Sequence, residues 1–219
     1  MIRSAIITAA GSSKRMKGRG KKEFTKLKGR TVLERAVLPF VLSEEFNFIV
    51  VTFPEGKEDE MKKALHHINF PILYVQGGSS RQESVYNALV ELKKVQCDVV
   101  LIHDGARPHI SEDLIMRVLS GTIQRGNSTP VVPSVSAMKI LTETGDIESH
   151  LIRTQTVSAQ TPQGFSFQEI LQAHYKALND ESSFIDDSEI WSVYVGTAHT
   201  VKGDPNNIKI TYPQDLDHK

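Results

Sequence analysis

Short unbroken apolar blocks punctuate the chain, and the first of them, Ser4 to Ala9, runs straight into a turn of small residues. A block this short and this apolar reads as a parallel strand buried on both faces. Phe48 to Phe53, Pro71 to Val75 and Val99 to Ile102 repeat the pattern. Between them the period changes to that of helices. Thr31 can N-cap one with Glu34 three places on, and Val32, Leu33, Ala36, Val37 and Phe40 supply its stripe, with Pro39 inside it. Lys57 to His67 turns Met61, Ala64, Leu65 and Ile68 inward, and the helix after Arg81 spaces Val85, Ala88, Leu89 and Leu92 at i, i+3, i+4 and i+7. Ser111 caps a further helix over Glu112 to Gln124. This alternation predicts an α/β fold, a doubly wound, mostly parallel, Rossmann-like sheet with ligands beyond the carboxyl ends of its strands.

After Asn127 the pattern shifts. Thr129 to Pro133 is strand-like, and Met138 to Leu141 and Ile147 to Ile152 are short β-prone runs around Thr144-Gly145, which reads as a hairpin. Two lone strands bury little. The segment 133–153 is therefore expected to be an arm packed on something else, with a second subunit as the candidate. A helix is expected over Ser166 to Asn179, with Phe167, Ile170, Leu171 and His174 on one face. Asp186-Asp187 opens a short helix through Trp191, and Val193 to Val195, His199 to Val201 and Ile208 to Thr211 read as strands. The expectation is one domain over residues 1–219, with the arm inside it.

Composition narrows this little. Hydrophobic content of 39% and charged content of 24% are ordinary for a soluble globular protein, and no apolar run nears the ~20 residues of a membrane span. Met1-Ile2-Arg3 leads into a run too short for a signal peptide, so the cytoplasm is the expected place. The single cysteine, Cys97, rules out an intrachain disulfide or a multi-cysteine metal site. The histidines, including the adjacent His66 and His67, show no metal spacing and read as surface or packing residues.

Charge changes the picture only locally. The 26 basic and 26 acidic residues cancel, which gives the whole molecule no push towards nucleic acid. Yet Lys14, Arg15, Lys17, Arg19, Lys21, Lys22, Lys26 and Lys28 face one acid, Glu23. This run follows Ala9-Ala10-Gly11 at the end of the first strand. Small residues there let backbone N–H groups approach phosphate oxygens, and Arg15 and Lys22 add charge-assisted bonds of about 1.5 to 3 kcal/mol each. A solvated loop or a nucleic-acid patch over 14–28 is the alternative. A nicotinamide turn competes too, but Gly11-Ser12-Ser13-Lys14-Arg15-Met16 lacks the later glycines of G-x-G-x-x-G, and the strand ending at Phe53 brings no acid for a ribose.

Two more polar loops fall at strand ends. Gly77-Gly78-Ser79-Ser80-Arg81 resembles the first in form. His103-Asp104-Gly105-Ala106-Arg107 places a carboxylate and a guanidinium past the most apolar strand. Asp104 could hold a ribose hydroxyl or face Mg²⁺, and Arg107 could hold a second anion. An Asp104–Arg107 ion pair that merely shapes the turn is the alternative.

As a set, Ala9-Ala10-Gly11 with Arg15, Met16 and Lys22, Gly77-Gly78 with Arg81 and Ser84, His103 to Pro108, Arg153, Thr161-Pro162-Gln163 and Asn207-Ile208-Lys209 resemble the 2-C-methyl-D-erythritol 4-phosphate cytidylyltransferase family, in order from about Ile2 to Leu216. The resemblance implies a homodimeric α/β enzyme that joins CTP to a polyol phosphate with Mg²⁺, held mainly by the CTP phosphates, in isoprenoid precursor synthesis. It implies that Arg15 and Lys22 stabilise the α-phosphate and that Arg153 and Lys209 orient the attacking phosphate. Ala9, Ala10, Gly11, Gly77, Gly78 and Ser84 would line the cytidine and triphosphate site. Asp104, Gly105 and Arg107 would sit beside nucleotide and acceptor, and Thr161 would hold the acceptor. The arm would be exchanged between subunits, taking Arg153 to the partner's site. No Ser, Cys or His nucleophile is needed, because the attacking group is already an anion. Lys21 stands where the family has proline, and Ser136-Ala137 where it has aspartate and threonine, which leaves ribitol 5-phosphate as a rival acceptor. The family's final helix is expected to be missing after Asp217.

Overall fold

The computed structural model describes residues 1–11 and 21–217. Strand β1 (Arg3–Thr8) leads past a small ladder of β2 (Lys26–Leu27) and β3 (Arg30–Thr31) into helix α1 (Val32–Leu42). The expected capping box is there: Glu34 N–H donates to Thr31 Oγ1, and the Glu34 carboxylate accepts from Thr31 N–H. Then come β4 (Phe48–Phe53), α2 (Glu58–Leu65), β5 (Ile72–Gln76), α3 (Arg81–Leu92), β6 (Val99–Asp104) and α4 (Glu112–Arg125). The second half holds β7 (Asn127–Pro133), β8 (Lys139–Leu141), β9 (Ile147–His150), β10 (Val157–Ala159) and β11 (Gln163–Ser166). Helices α5 (Phe167–Asn179) and α6 (Asp187–Tyr194) and strand β12 (Thr200–Lys202) complete it.

One eight-stranded sheet runs β10-β7-β11-β6-β1-β4-β5, with β12 pairing β7 in parallel. Strands β6, β1, β4 and β5 are parallel neighbours, in a register that sets Ile6 beside Val50 and Thr8 beside Asp104. Successive residues of a strand face opposite sides, so the strands feed two cores. Ala5, Ile7, Ile49, Val51 and Leu101 pack with α1, α2 and α4 on one face. Ile6, Val50, Val100 and Ile102 pack with α3, α5 and α6 on the other. The chain builds outward from β1 through β4 to β5, then crosses back to lay β6 on the other side of β1. That reversal is the switch point at which α/β sheets open a ligand crevice.

Several expectations change. Val193 and Tyr194 belong to the last turn of α6, and no strand forms there. The Val195 N–H bonds Trp191 O, which continues the helical pattern. Ile208 to Thr211 is not a strand either. Its N–H groups go elsewhere, Ile210 to the Ala106 carbonyl at 2.8 Å and Thr211 to the Asp215 carboxylate at 2.7 Å. Strand β11, unforeseen, inserts antiparallel between β6 and β7. The hairpin does form, as the separate two-stranded ladder of β8 and β9.

Candidate active site

Three loops at the carboxyl ends of β1, β5 and β6 meet at the switch point. Ala9 is buried, and its N–H donates to Thr52 Oγ1 at 3.0 Å, which ties the first loop to β4. Gly77 N–H reaches the Phe53 carbonyl at 2.8 Å from the other side. The loops touch closely: a Cβ on Gly77 would lie 2.3 Å from Ala10 Cβ and 2.7 Å from Ser84 Oγ. Gly105 is similarly tight, with its N–H on the Thr8 carbonyl at 3.0 Å and a Cβ there 3.1 Å from that oxygen.

The Gly77 loop has its donors bonded within the protein. Gly78 N–H donates to Ser84 Oγ at 3.1 Å, Ser84 in turn donates to the Ser80 carbonyl at 2.8 Å, and Ser79 N–H donates to the Glu83 carboxylate at 2.7 Å. These hydrogen bonds to Ser79 hold the Glu83 carboxyl below the usual range. The N–H groups of Gly77, Gly78 and Ser79 are thus engaged within the protein.

Asp104 is the centre of the site. Lys209 Nζ lies 2.8 Å from its Oδ2, Arg107 Nε 3.6 Å from the same oxygen, and Arg81 Nε 3.4 Å from Oδ1. Thr8 Oγ1 donates weakly to Oδ1 at 3.4 Å. Burial alone would raise this carboxyl, but Arg81, Lys209 and Arg107 together pull it well below the usual carboxylate range. Three cations on one carboxylate leave positive charge for an anion. The Asp104–Arg107 pair that the sequence offered as a turn-shaping contact is thus real but is one arm of a larger cluster.

Behind it stands a buried network. Asp104 N–H donates to Thr161 Oγ1 at 3.0 Å. That hydroxyl lies 3.1 Å from His103 Nδ1, and His103 Nε2 lies 3.2 Å from the Arg107 carbonyl. The Arg107 carbonyl can only accept, so His103 donates from Nε2, and its Nδ1 accepts the Thr161 proton. Burial pushes His103 down to about 4, so the ring is neutral. The 207–211 segment closes the cluster. Asn207 Nδ2 donates to the Thr161 carbonyl at 2.7 Å, Arg107 Nη1 to the Asn207 carbonyl at 2.7 Å, and Lys22 Nζ to the Ile210 carbonyl at 3.1 Å.

The structure thus brings Ala9, Ala10, Gly77, Gly78, Ser84, Asp104, Gly105, Arg107, Thr161, Lys22 and Lys209 to one end of the sheet. Gly11 is exposed at the edge of this group, while Arg15 lies outside the described residues. Arg153 sits on an exposed turn after β9, and no hydrogen bond or ion pair ties its side chain to the cluster. Lys21, partly buried, has its ammonium pushed down by desolvation. Ser136 and Ala137 are exposed, between β7 and β8. Not foreseen were the roles of Arg81, Asp187 and His174. The double acid Asp186-Asp187 was a usable signal, since one acid is enough to cap a helix: Asp186 does that by accepting from Glu189 N–H, which leaves Asp187 to turn inward.

A doubly wound sheet with glycine loops and a cation-rich crevice at its switch point defines a nucleotide-handling α/β enzyme. The family model described as 2-C-methyl-D-erythritol 4-phosphate cytidylyltransferase (IspD) matches residues 3–218, and the chain belongs to that family of cytidylyltransferases. The 2-C-methyl-D-erythritol 4-phosphate cytidylyltransferase of Clostridium beijerinckii is 34% identical over 97% of this chain and 94% of its own length. A bifunctional enzyme IspD/IspF of Rhodopseudomonas palustris is 38% identical over 97% of this chain, which spans only 54% of that longer protein. Among solved structures, the 4-diphosphocytidyl-2C-methyl-D-erythritol synthase of Anaerococcus prevotii superposes with a TM-score of 0.87 at 29% identity, over 99% of this chain and 95% of the other.

Proposed function

We propose that this chain joins CTP and 2-C-methyl-D-erythritol 4-phosphate into the CDP-alcohol with release of pyrophosphate. The observation that carries this is the Asp104 cluster, where three cations converge on one carboxylate at the crevice beside the first glycine loop. In the reaction an oxygen of the acceptor phosphate attacks the α-phosphorus of CTP, and the bond from that phosphorus to the bridging oxygen breaks. No proton need move, because nucleophile and leaving group are both anions; the work is to hold two repelling anions in line. Lys22 and Arg15 would stabilise the α-phosphate, and Lys209 would turn from Asp104 to the acceptor phosphate beside Arg153. The Gly77 loop, with Gly78 and Ser84, would line the cytidine and triphosphate site.

Among the described residues no group of three or more His, Cys, Asp or Glu is placed to hold a metal ion. Mg²⁺ is bound through one or two carboxylates and the substrate's phosphates, and Asp104 is the carboxylate within reach, so the residues fit an ion that CTP brings with it. Such an ion offsets triphosphate charge. The arm would form a homodimer and carry Arg153 to the partner's site. The partners would be CTP and the polyol phosphate, with neither nucleic acid nor membrane involved, in the cytoplasm. No helix among the described residues is long and apolar enough to cross a membrane.

Pyrophosphate release measured with CTP and each polyol phosphate tests the reading. Turnover with methylerythritol phosphate is expected. Turnover with ribitol 5-phosphate alone would transfer the assignment to that acceptor.

A further inference from the structure

We propose that Arg81 is a positioning residue for Asp104, anchored from behind by the buried pair of Asp187 and His174. The proposal rests on the cytidylyltransferase reading above and names residues to which that reading gave no role. The three cations on Asp104 are held differently. Lys209 is 38% exposed and sits on a loop. Arg107 bonds the Asn207 carbonyl through Nη1 and stands 3.6 Å from Asp104 through Nε. Lys209 can turn towards a phosphate, while Arg107, only 12% exposed, is held by no second carboxylate among the described residues. Arg81 cannot do so at the same cost, because its Nη2 lies 2.7 Å from Oδ2 of Asp187, a side chain with no exposure at all.

Asp187 is built in from three directions. It is the first residue of α6, where unpaired N–H groups favour a carboxylate. Its Oδ1 lies 3.1 Å from His174 Nε2 on α5. His174 Nδ1 is buried with no hydrogen-bond partner among the described residues, and Nε2 donates to the Asp187 carboxylate, which can only accept. Burial pushes the Asp187 carboxyl up, yet Arg81 and His174 outweigh it and bring it to about 2. Withdrawing Arg81 would leave that buried charge without its cation, a costly state. Arg81 therefore stays, and its Nε keeps facing Asp104 when Lys209 leaves for substrate. The chain from His174 through Asp187 and Arg81 to Asp104 links α5, α6 and α3 to the end of β6.

The test is a double-mutant cycle read in steady-state kinetics. Arg81→Gln is expected to lower kcat/KM for CTP by about 10- to 100-fold, as for a misplaced reacting group. Asp187→Asn is expected to lose at least several-fold in kcat and to add nothing in the Arg81→Gln background. Asp187→Asn with wild-type kcat and KM and only a lower Tm would reduce the pair to a structural role and overturn the proposal. Should Asp187→Asn fail to fold, Arg81→Gln is measured against Asp104→Asn. No added loss supports action through Asp104, and full additivity refutes it. A wild-type chain that turns over neither acceptor would instead remove the parent reading. The link is then read without substrate, from the ¹³C resonance of the Asp104 carboxyl. It must shift in Arg81→Gln and in Asp187→Asn, and an unmoved resonance in Asp187→Asn sinks it.

Discussion

At the end of β6, Asp104 has three cations within 3.6 Å and a buried network beneath it, whereas along the arm from Pro133 to Arg153 nearly every side chain meets solvent. Val135 is 86% exposed, and Ile140, Leu141, Ile147 and Ile152 are all exposed as well. One region ties its side chains to one another within a single chain. The other is a separate two-stranded ladder with apolar surface on view, and two strands alone bury little. The Asp104 end is preorganised by its connection to the sheet, while Arg153 sits on an exposed turn after the ladder.

The largest effect tests the self-contained half. Lys22→Ala is expected to lower kcat by about 10²- to 10³-fold, as for loss of one transition-state donor, with a smaller change in CTP affinity. An unchanged kcat takes Lys22 out of the chemistry. The arm is tested next by mixing two inactive variants, Lys22→Ala and Arg153→Ala, and letting subunits exchange. If Arg153 serves the partner, random pairing in a two-fold dimer restores about one site in four. A mixture that stays inactive places Arg153 in its own subunit's site, and an Arg153→Ala that is active alone removes it from any site.

The same division governs how much of the molecule could be read from residues alone. Strands β1, β4 and β6 are unbroken apolar blocks, and the capping box of Thr31 and Glu34 lies within four residues, so local pattern was enough. Strand β11 is not legible this way. Gln163-Gly164-Phe165-Ser166 carries little β signal, and its place between β6 and β7 is decided by partners far away. Ile208 to Thr211 failed in the opposite sense: it has β-prone residues, yet Ala106 and Asp215 take its N–H groups. At the site, Asp104 was legible from its place past the most apolar strand, and the resemblance added Lys209. Arg81 and Asp187 lie 106 residues apart in sequence, and nothing in either stretch announces the other.

A third effect tests whether the network beneath Asp104 is part of the stable body. Folded His103 is held down to about 4 by burial, against ~6.5 in an unfolded chain. As pH falls below ~6.5, the unfolded chain takes up a proton that the folded one refuses, so stability is lost from there down to about 4 and nothing is lost above. The full window corresponds to roughly 3 kcal/mol. His103→Gln keeps an acceptor for the Thr161 hydroxyl and a donor for the Arg107 carbonyl but cannot titrate. Urea unfolding at a series of pH values should show a flatter acid slope for the variant than for the wild type. Equal slopes would locate the acid sensitivity elsewhere.

The smallest effect concerns the contact between the glycine loops. A Cβ at Gly77 falls 2.3 Å from Ala10 Cβ and 2.7 Å from Ser84 Oγ, so Gly77→Ala must push the loop after β5 away from the loop after β1. Neither neighbour is the far end of a long side chain, and both stand on short backbone tethers. Overpacking of this kind costs about 1 to 3 kcal/mol. The shift also moves Ser84, which holds the Gly78 N–H, so CTP affinity should fall together with Tm. An equivalent substitution at Gly145, where nothing lies within 4 Å of a Cβ but φ is +92°, should cost stability through backbone strain while CTP affinity stays put. Equal losses of CTP affinity at both positions would mean that the arm and the nucleotide loops are not energetically separate, and the division between them would fail.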